Sequence, residues 1–398
     1  MRVLQLCHKP PFPQKDGGCI AMASITQALL DNHVDLRIVT ASTDKHPWEK
    51  SAWPNELIQV TKHAWLDTEP SILGMLSSLI TGSSYNITRF RSKELESIIK
   101  DQLLDFKPDV VWLESLFMTP YLNVIHNTSK AKVVLRSHNV EHQVWERLAS
   151  NSNLIKKPVL GLLAKRLERY EVNMVRQLDA IAAISEEDNA KLSTMSDCEI
   201  KTIPIGMDLN KFTYKPPTQP FSMFHLGDMN WEPNKEAIGL FVSEVWPLVK
   251  VSSPNAKCVL AGRNMPQSIS NYGEDNLKII GDVPDANSFF SSHDILILPL
   301  LSGGGVRVKM LEAMAMGKAV VTTSIGAEGI GGNDGVHYIL AENAREMADS
   351  IGHIYSGDID IKAIGLAARK HIEAHFTNRA IGDEVNYFCR NLARLERP

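Results

Sequence analysis

Short apolar runs rich in Val, Ile and Leu recur at residues 2–7, 36–40, 109–113, 132–135 and 180–184, with helical patterns between several of them. A run that is apolar at every position, not at alternate ones, suits a strand buried on both faces, so this rhythm predicts a parallel sheet covered by helices. The rhythm then restarts. A polar, proline-bearing stretch, KPPTQP at 215–220, is followed by new strand candidates at 222–226, 257–261, 277–280, 295–298 and 319–322. The chain therefore reads as two doubly wound α/β halves, 1–205 and 221–376, joined by a linker at 206–220. A final helix candidate at 377–398 is expected to cross back to the first half. Doubly wound sheets bind ligands outside the carboxyl ends of their strands, at the point where strand order reverses, which makes a cleft between the halves the expected site.

Composition narrows the class without changing that picture. The 398 residues are 44% apolar and 22% charged, a globular balance, and the formal net charge of −4 supplies no bulk positive field for a nucleic-acid backbone. The five cysteines are scattered and contain no C-x-x-C pair, which points away from a disulfide framework or a zinc knuckle and towards reduced thiols in the cytoplasm. The apolar start at 2–7 stops at His8, Lys9, Pro10 and Pro11, well short of a secretory signal, and no apolar run reaches the ~20 residues of a membrane span.

The strongest local signal is DILILPLLSGGGVRVKMLEAMAMGKAVVTT at 294–323, which reads as strand, glycine turn, helix, glycine stop, strand. Gly303, Gly304 and Gly305 allow close backbone approach to a ligand, and a helix beginning near Val306 offers free N–H groups and a positive dipole end. Arg307 and Lys309 fall in the expected first turn, where cations oppose the dipole unless an anion compensates them. A diphosphate would do so. Glu312, one turn on, could accept hydrogen bonds from both hydroxyls of a ribose.

This segment resembles the donor-binding stretch of GT-B glycosyltransferases, in particular glycosyltransferase family 4, whose helix carries a similar LEAMAxGxxVV run. The resemblance implies two Rossmann-like domains facing each other across a cleft, with Glu312 on the ribose of a nucleotide sugar and Arg307 and Lys309 on its diphosphate. One departure stands out. Family members often carry a second glutamate eight positions before the ribose-binding one, and here that position is Gly304. Three further segments fit the resemblance. In FHLGDMNWEPNKEAI (224–238), Gly227 follows a strand as a phosphate-facing turn would, Lys235 matches a phosphate-gripping lysine, and Asp228 stands where many members have an arginine. Gly17 and Gly18 look like the glycine turn that family members set against donor phosphate and acceptor. His138, just beyond the strand candidate 132–135, matches a histidine lying beside donor sugar and acceptor.

Other signals have plainer explanations. Residues 138–142 spell H-x-x-E-H, a zinc-peptidase pattern, but they follow a strand directly and no third ligand stands out. Asp358 and Asp360 form a D-x-D between helix candidates, not at a strand end, so they read as solvated loop carboxylates. Residues 151–180 hold six cations against three anions on an amphipathic pattern, which, with the apolar run 72–80, is compatible with an anionic membrane surface or with an ordinary solvated face.

The expected activity is transfer of a hexose-type sugar from a nucleoside-diphosphate sugar to a hydroxyl of a glycan or lipid-linked saccharide. Retention of anomeric configuration is implied by the resemblance. No metal and no cofactor beyond the donor substrate is expected, since cations and helix dipoles can stabilise the leaving diphosphate. Polysaccharide biosynthesis in the cytoplasm, at the inner membrane face or away from it, is the expected setting, with no nucleic-acid partner. A nucleotide-sugar epimerase on the same fold and a non-catalytic sugar-nucleotide-binding subunit are the alternatives.

Overall fold

The computed structural model describes residues 1–69, 71, 74, 78, 82–150, 152, 154 and 156–394. The chain divides into two compact units: Met1–Met207 together with Asn378–Pro398, and Asp208–Thr377.

The first unit is built on seven parallel strands, β1 (Arg2–Cys7), β2 (Asp35–Ser42), β3 (Thr61–Trp65), β4 (Val110–Glu114), β5 (Lys132–Ser137), β6 (Ala180–Ala183) and β7 (Glu199–Thr202), in the order β3-β2-β1-β4-β5-β6-β7. The second unit has six, β8 (Ser222–Leu226), β9 (Lys257–Ala261), β10 (Leu277–Ile280), β11 (Ile295–Leu298), β12 (Ala319–Thr322) and β13 (Ile339–Leu340), in the order β10-β9-β8-β11-β12-β13. Every strand expected from a continuous apolar run forms; all but β10 lie inside a sheet, where both faces of a strand can be buried, while β10 is an edge strand with only Leu277 fully buried. The strands that the pattern did not announce, β3, β7 and β13, are all at sheet edges.

The helices that matter below are α1 (Gly17–Asp31), α2 (Lys93–Phe106), α3 (Glu141–Ser150), α4 (Lys157–Val175), α5 (Glu232–Leu240), α6 (Val308–Ala315), α7 (Ala344–Ser356), α8 (Ile361–His375) and α9 (Asn378–Arg394). Two apolar clusters sandwich the first sheet. One gathers Leu4, Leu6, Val111 and Leu113 with Leu95, Ile99 and Leu103 of α2, and the other gathers Val3, Ile38 and Trp112 with Met22, Ile25 and Leu29 of α1. Helix α9 completes the second cluster through Ile381, Val385, Phe388 and Leu392, so this last helix is part of the first unit's core. In the second unit Ile295, Ile297 and Val321 pack against Met347, Ile351 and Ile354 of α7.

Each sheet reverses its order once, between β1 and β4 in the first unit and between β8 and β11 in the second. A crevice opens at such a point because the crossovers on either side leave in opposite directions. The residues just beyond β1, β4, β8 and β11 are therefore the places to look for chemistry.

Candidate functional site

In the second unit, β11 ends in a loop in which Gly303 has φ +108° and Gly305 φ +72°, conformations that L side chains rarely adopt. At Gly303 a Cβ would also sit 3.0 Å from the Trp231 ring, so this bend needs glycine for both backbone and space. The helix after it begins at Val308, two residues later than the pattern indicated, and Arg307 is its N-cap, not a first-turn residue. Among the described residues no side chain caps this N-terminus. Arg307 is buried; its guanidinium donates to the Gly304 carbonyl and lies over Trp231, 5.3 Å from the ring centroid. The cation is thereby folded onto the glycine bend.

Lys309, in the first turn of α6, reaches under Gly227 at the end of β8. Its ammonium donates to Asn234 Oδ1 at 3.0 Å and lies 3.4 Å from His225 Nε2. His225 is buried, and its Nδ1 sits 2.8 Å from the Ile297 carbonyl. A carbonyl only accepts, so Nδ1 carries the proton and Nε2 is left as the acceptor that faces Lys309. The groups touching Lys309 are thus neutral. Burial, then the nearby Arg307, push its pKa down to about 7, against the pull of Glu312. Glu312 is moved the other way, up to about 7, by burial opposed by Lys309. Gly227 is confined by the same contacts: a Cβ there would lie 2.7 Å from Asn234 Nδ2 and 3.0 Å from Lys309 Nζ.

Lys235 is placed differently from the expectation. It is half-exposed and pairs with Glu232 at 2.6 Å along α5, while its neighbour Asn234 turns towards Lys309. Asp228, at the position where an arginine was expected, accepts from Asn264 and pairs with Arg263 at 3.2 Å, so a cation reaches this loop from the end of β9. Glu236 accepts from Ser302 at 2.7 Å and ties α5 to the loop leading into the glycine bend.

In the first unit, Gly17 and Gly18 are the first two residues of α1, with Asp16 as N-cap, and so are not a turn. The absent side chain of Gly18 makes room for Lys9, whose Nζ would be 2.9 Å from a Cβ. Lys9 bonds both carboxylate oxygens of Asp16 at 2.7 and 2.8 Å, and His46 bonds one at 2.9 Å. Burial raises the Asp16 pKa, but His46 and Lys9 outweigh it and hold the carboxyl well below its usual range. Among the described residues, Asp16, Cys19 and His46 are the trio whose ligand atoms converge as a metal site would require. Lys9 already occupies the carboxylate there, and burial pushes the Cys19 thiol up to about 11, so the trio is poorly suited to a cation.

His138 follows β5, and its Nε2 lies 2.9 Å from Glu114 Oε2 at the end of the neighbouring strand β4. His8, just after β1, places Nδ1 2.9 Å from the Glu114 carbonyl, and burial, then Lys9, push its pKa down to about 3. His142 belongs elsewhere: its Nδ1 meets Glu171 at 2.7 Å, and the same carboxylate accepts from the Glu141 and His142 amides at the start of α3. The two histidines of the H-x-x-E-H run are thus held by separate carboxylates. Asp360 caps α8 and Asp358 accepts from Ser356 and His353, which accounts for the D-x-D locally.

On α4, Leu163, Ala164 and Leu167 are buried while Lys157, Val159, Leu162, Lys165 and Arg169 are exposed. The apolar run 72–80 lies outside the described residues apart from Gly74 and Ser78. Among the described residues no helix is long and apolar enough to cross a membrane.

Comparison with known proteins adds context to this geometry. Residues 220–357, which contain the glycine bend, Lys309 and Glu312, match the family model described as glycosyl transferases group 1. Over the whole chain, an uncharacterized 44.6 kDa protein in the cps region of Klebsiella pneumoniae is 23% identical over 94% of this chain and 96% of its own. Sucrose-phosphate synthase of Thermosynechococcus elongatus superposes with a TM-score of 0.73 at 15% identity, covering 98% of this chain and 99% of that one. HepE of Anabaena, solved with UDP-glucose, superposes with a TM-score of 0.67 at 14% identity over 98% of this chain and 100% of its own. The fold is therefore the two-domain α/β architecture of GT-B glycosyltransferases, two parallel sheets flanked by helices, and the segment carrying the glycine bend matches the group 1 family model.

Proposed function

We propose that the chain is a glycosyltransferase that moves a hexose-type sugar from a nucleoside-diphosphate sugar to a hydroxyl of a glycan or lipid-linked acceptor. One observation carries the reading: a helix N-terminus behind a triple-glycine bend, uncapped among the described residues, holds two cations, of which Lys309 hydrogen-bonds there to the neutral Asn234 and His225. Such a place gains free energy from an anion. In this reading the diphosphate lies against Gly303, Gly304, Gly305 and Gly227, with Arg307 and Lys309 neutralising the charge that grows as the sugar–phosphate bond breaks. Glu312, one turn along α6, holds the ribose hydroxyls. The match of 220–357 to the group 1 model supports this assignment.

Lys235, Gly17 and Gly18 are assigned outer roles near the donor, and His138 is assigned to the transferred sugar. Gly304, in place of a glutamate, leaves backbone amides as the polar groups at that point of the donor site. Charge stabilisation by Arg307, Lys309 and α6 makes a metal unnecessary in this scheme, and retention of configuration follows from the family resemblance. Peripheral attachment is supported by the face of α4 that exposes Val159 and Leu162 among Lys157, Lys165 and Arg169; co-sedimentation with phosphatidylglycerol vesicles, lost when these three cations become Gln, tests it.

The deciding experiment is a thermal-shift panel of nucleoside diphosphates and their sugars. A ligand stabilises the folded state by RT ln(1 + [L]/Kd), about 2.7 kcal/mol at a hundred times Kd. One nucleotide family should raise Tm and the others should not. A panel without any shift overturns the donor assignment. Binding without transfer or hydrolysis across many acceptors would favour a non-catalytic subunit, which Gly304 keeps in view, and conversion of the sugar with no acceptor would favour an epimerase.

A further inference from the structure

The side chain of Glu114 is completely buried at the end of β4, and among the described residues its carboxylate accepts from three side chains, Gln5, Trp112 and His138. Oε1 accepts from Gln5 Nε2 at 2.8 Å and from Trp112 Nε1 at 3.0 Å. An indole nitrogen can only donate and a carboxylate can only accept, so Trp112 and the Gln5 NH2 are both donors here, with the Gln5 carbonyl turned to the Thr26 hydroxyl 2.9 Å away. Oε2 is left for His138 Nε2 at 2.9 Å. Arg136, fully buried on the adjacent strand, supplies an opposing charge to the carboxylate. The residue after Glu114, Ser115, has φ +86°, a conformation that L residues rarely adopt and that tends to persist where surrounding contacts over-determine it.

A carboxylate facing Nε2 requires the ring proton there. In the neutral ring the other nitrogen, Nδ1, then bears the lone pair, and among the described residues no hydrogen bond is made to it, although the side chain is only 10% exposed. We propose that Glu114 is a positioning residue that locks His138 in its Nε2–H tautomer, so that Nδ1 is a fixed acceptor for a hydroxyl of the sugar substrate. The proposal rests on the reading of His138 as facing that sugar. It excludes two other roles for this ring, because an acceptor nitrogen can neither donate to a phosphate oxygen nor protonate a departing group.

The same geometry supplies its own reversal. In Glu114→Gln the amide oxygen must take the place of Oε1, where Gln5 and Trp112 both donate, which turns the NH2 towards His138 and forces Nε2 to accept. Nδ1 would then carry the proton. The test is nitrogen-15 spectroscopy of the full chain labelled in its histidine rings, with His138→Gln used for assignment. The wild type should show an unprotonated Nδ1 and a protonated Nε2, and Glu114→Gln should show the opposite. UDP-glucose should move the His138 Nδ1 resonance and UDP alone should not. Glu114→Gln should lower kcat/KM for UDP-glucose about tenfold, the worth of one ordinary hydrogen bond. A protonated Nδ1 in the wild type, an unchanged tautomer in Glu114→Gln, or a shift of Nδ1 with UDP alone would each overturn the proposal. Should Glu114→Gln fail to fold, the wild-type spectrum still decides. A protein that binds neither nucleotide contradicts the donor assignment instead, and the tautomer measurements stand apart from that outcome.

Discussion

The two switch points place positive charge beside a helix N-terminus in opposite states of balance. In the first unit, α1 is capped by Asp16, whose carboxylate also takes Lys9 and His46, so the charges there are already satisfied. In the second unit, α6 has no side-chain cap among the described residues, and Lys309 rests on Asn234 and His225, which carry no opposing charge. The same topology thus yields one internally neutralised corner and one that awaits an anion. The difference lies in a few side chains, above all an aspartate at one N-cap and an arginine at the other.

The largest effects are expected from discharging the second unit's corner. Lys309→Ala and Arg307→Ala should each lower turnover ~10²-fold or more, the usual order for a lost electrostatic stabiliser, measured as transfer or donor hydrolysis. Unchanged rates in both would erase the distinction between the two corners. Glu312→Gln should weaken nucleotide binding about tenfold, since hydrogen bonds to a charged acceptor contribute about 1.5–3 kcal/mol, with little effect on a ligand lacking the ribose, such as inorganic pyrophosphate.

A pH profile sharpens the comparison. With its pKa pushed down to about 7, Lys309 loses its proton as pH rises through neutrality in the free protein, whereas a bound diphosphate favours the charged form. The contribution of Lys309 to nucleoside-diphosphate affinity should therefore be full below about pH 7 and fall towards tenfold per pH unit above it, until the pKa of the complex is reached. Lys309→Arg, charged at every accessible pH, should flatten this slope; a slope identical in both proteins would remove Lys309 from the diphosphate.

Smaller effects belong to the first unit. Asp16→Asn retains a capping side chain but gives up charge compensation for Lys9; it should lower Tm by a few degrees, as loss of about 1 kcal/mol does in a domain of this size, and leave nucleotide affinity within twofold. The smallest effect is expected for Lys235→Ala. Its half-exposed pair with Glu232 is worth at most about 1 kcal/mol, and turnover should stay within a few-fold of wild type.

What could be read from the chain follows from where its contacts lie. Inner strands announced themselves because both faces are buried. Of the four edge strands only β10, LKII, was legible; β7, EIKT, alternates exposed and half-exposed positions, β3 is TKHAW with Lys62, His63 and Trp65 exposed, and β13 is only two residues long. Gly303, Arg307, Lys309 and Glu312 were legible because they share one stretch of sequence. Asn234 and His225 were not, since they meet Lys309 only through the sheet, from 75 and 84 positions away. Lys235 was chosen over Asn234 because charge is visible in a sequence and the facing of a helix start is not. Glu114 left one sign, a carboxylate closing the apolar run VVWLE, but its 24-residue separation from His138 hid the pairing until β4 and β5 lay side by side.

The central claim is that a nucleoside diphosphate binds where the glycine bend meets α6. A crystal structure of the protein with UDP tests it most directly. The account predicts the diphosphate against Gly304 and Gly305 and within hydrogen-bond reach of Lys309, with the ribose on Glu312. Nucleotide bound elsewhere, with Lys309 still resting on Asn234 and His225 alone, would contradict it.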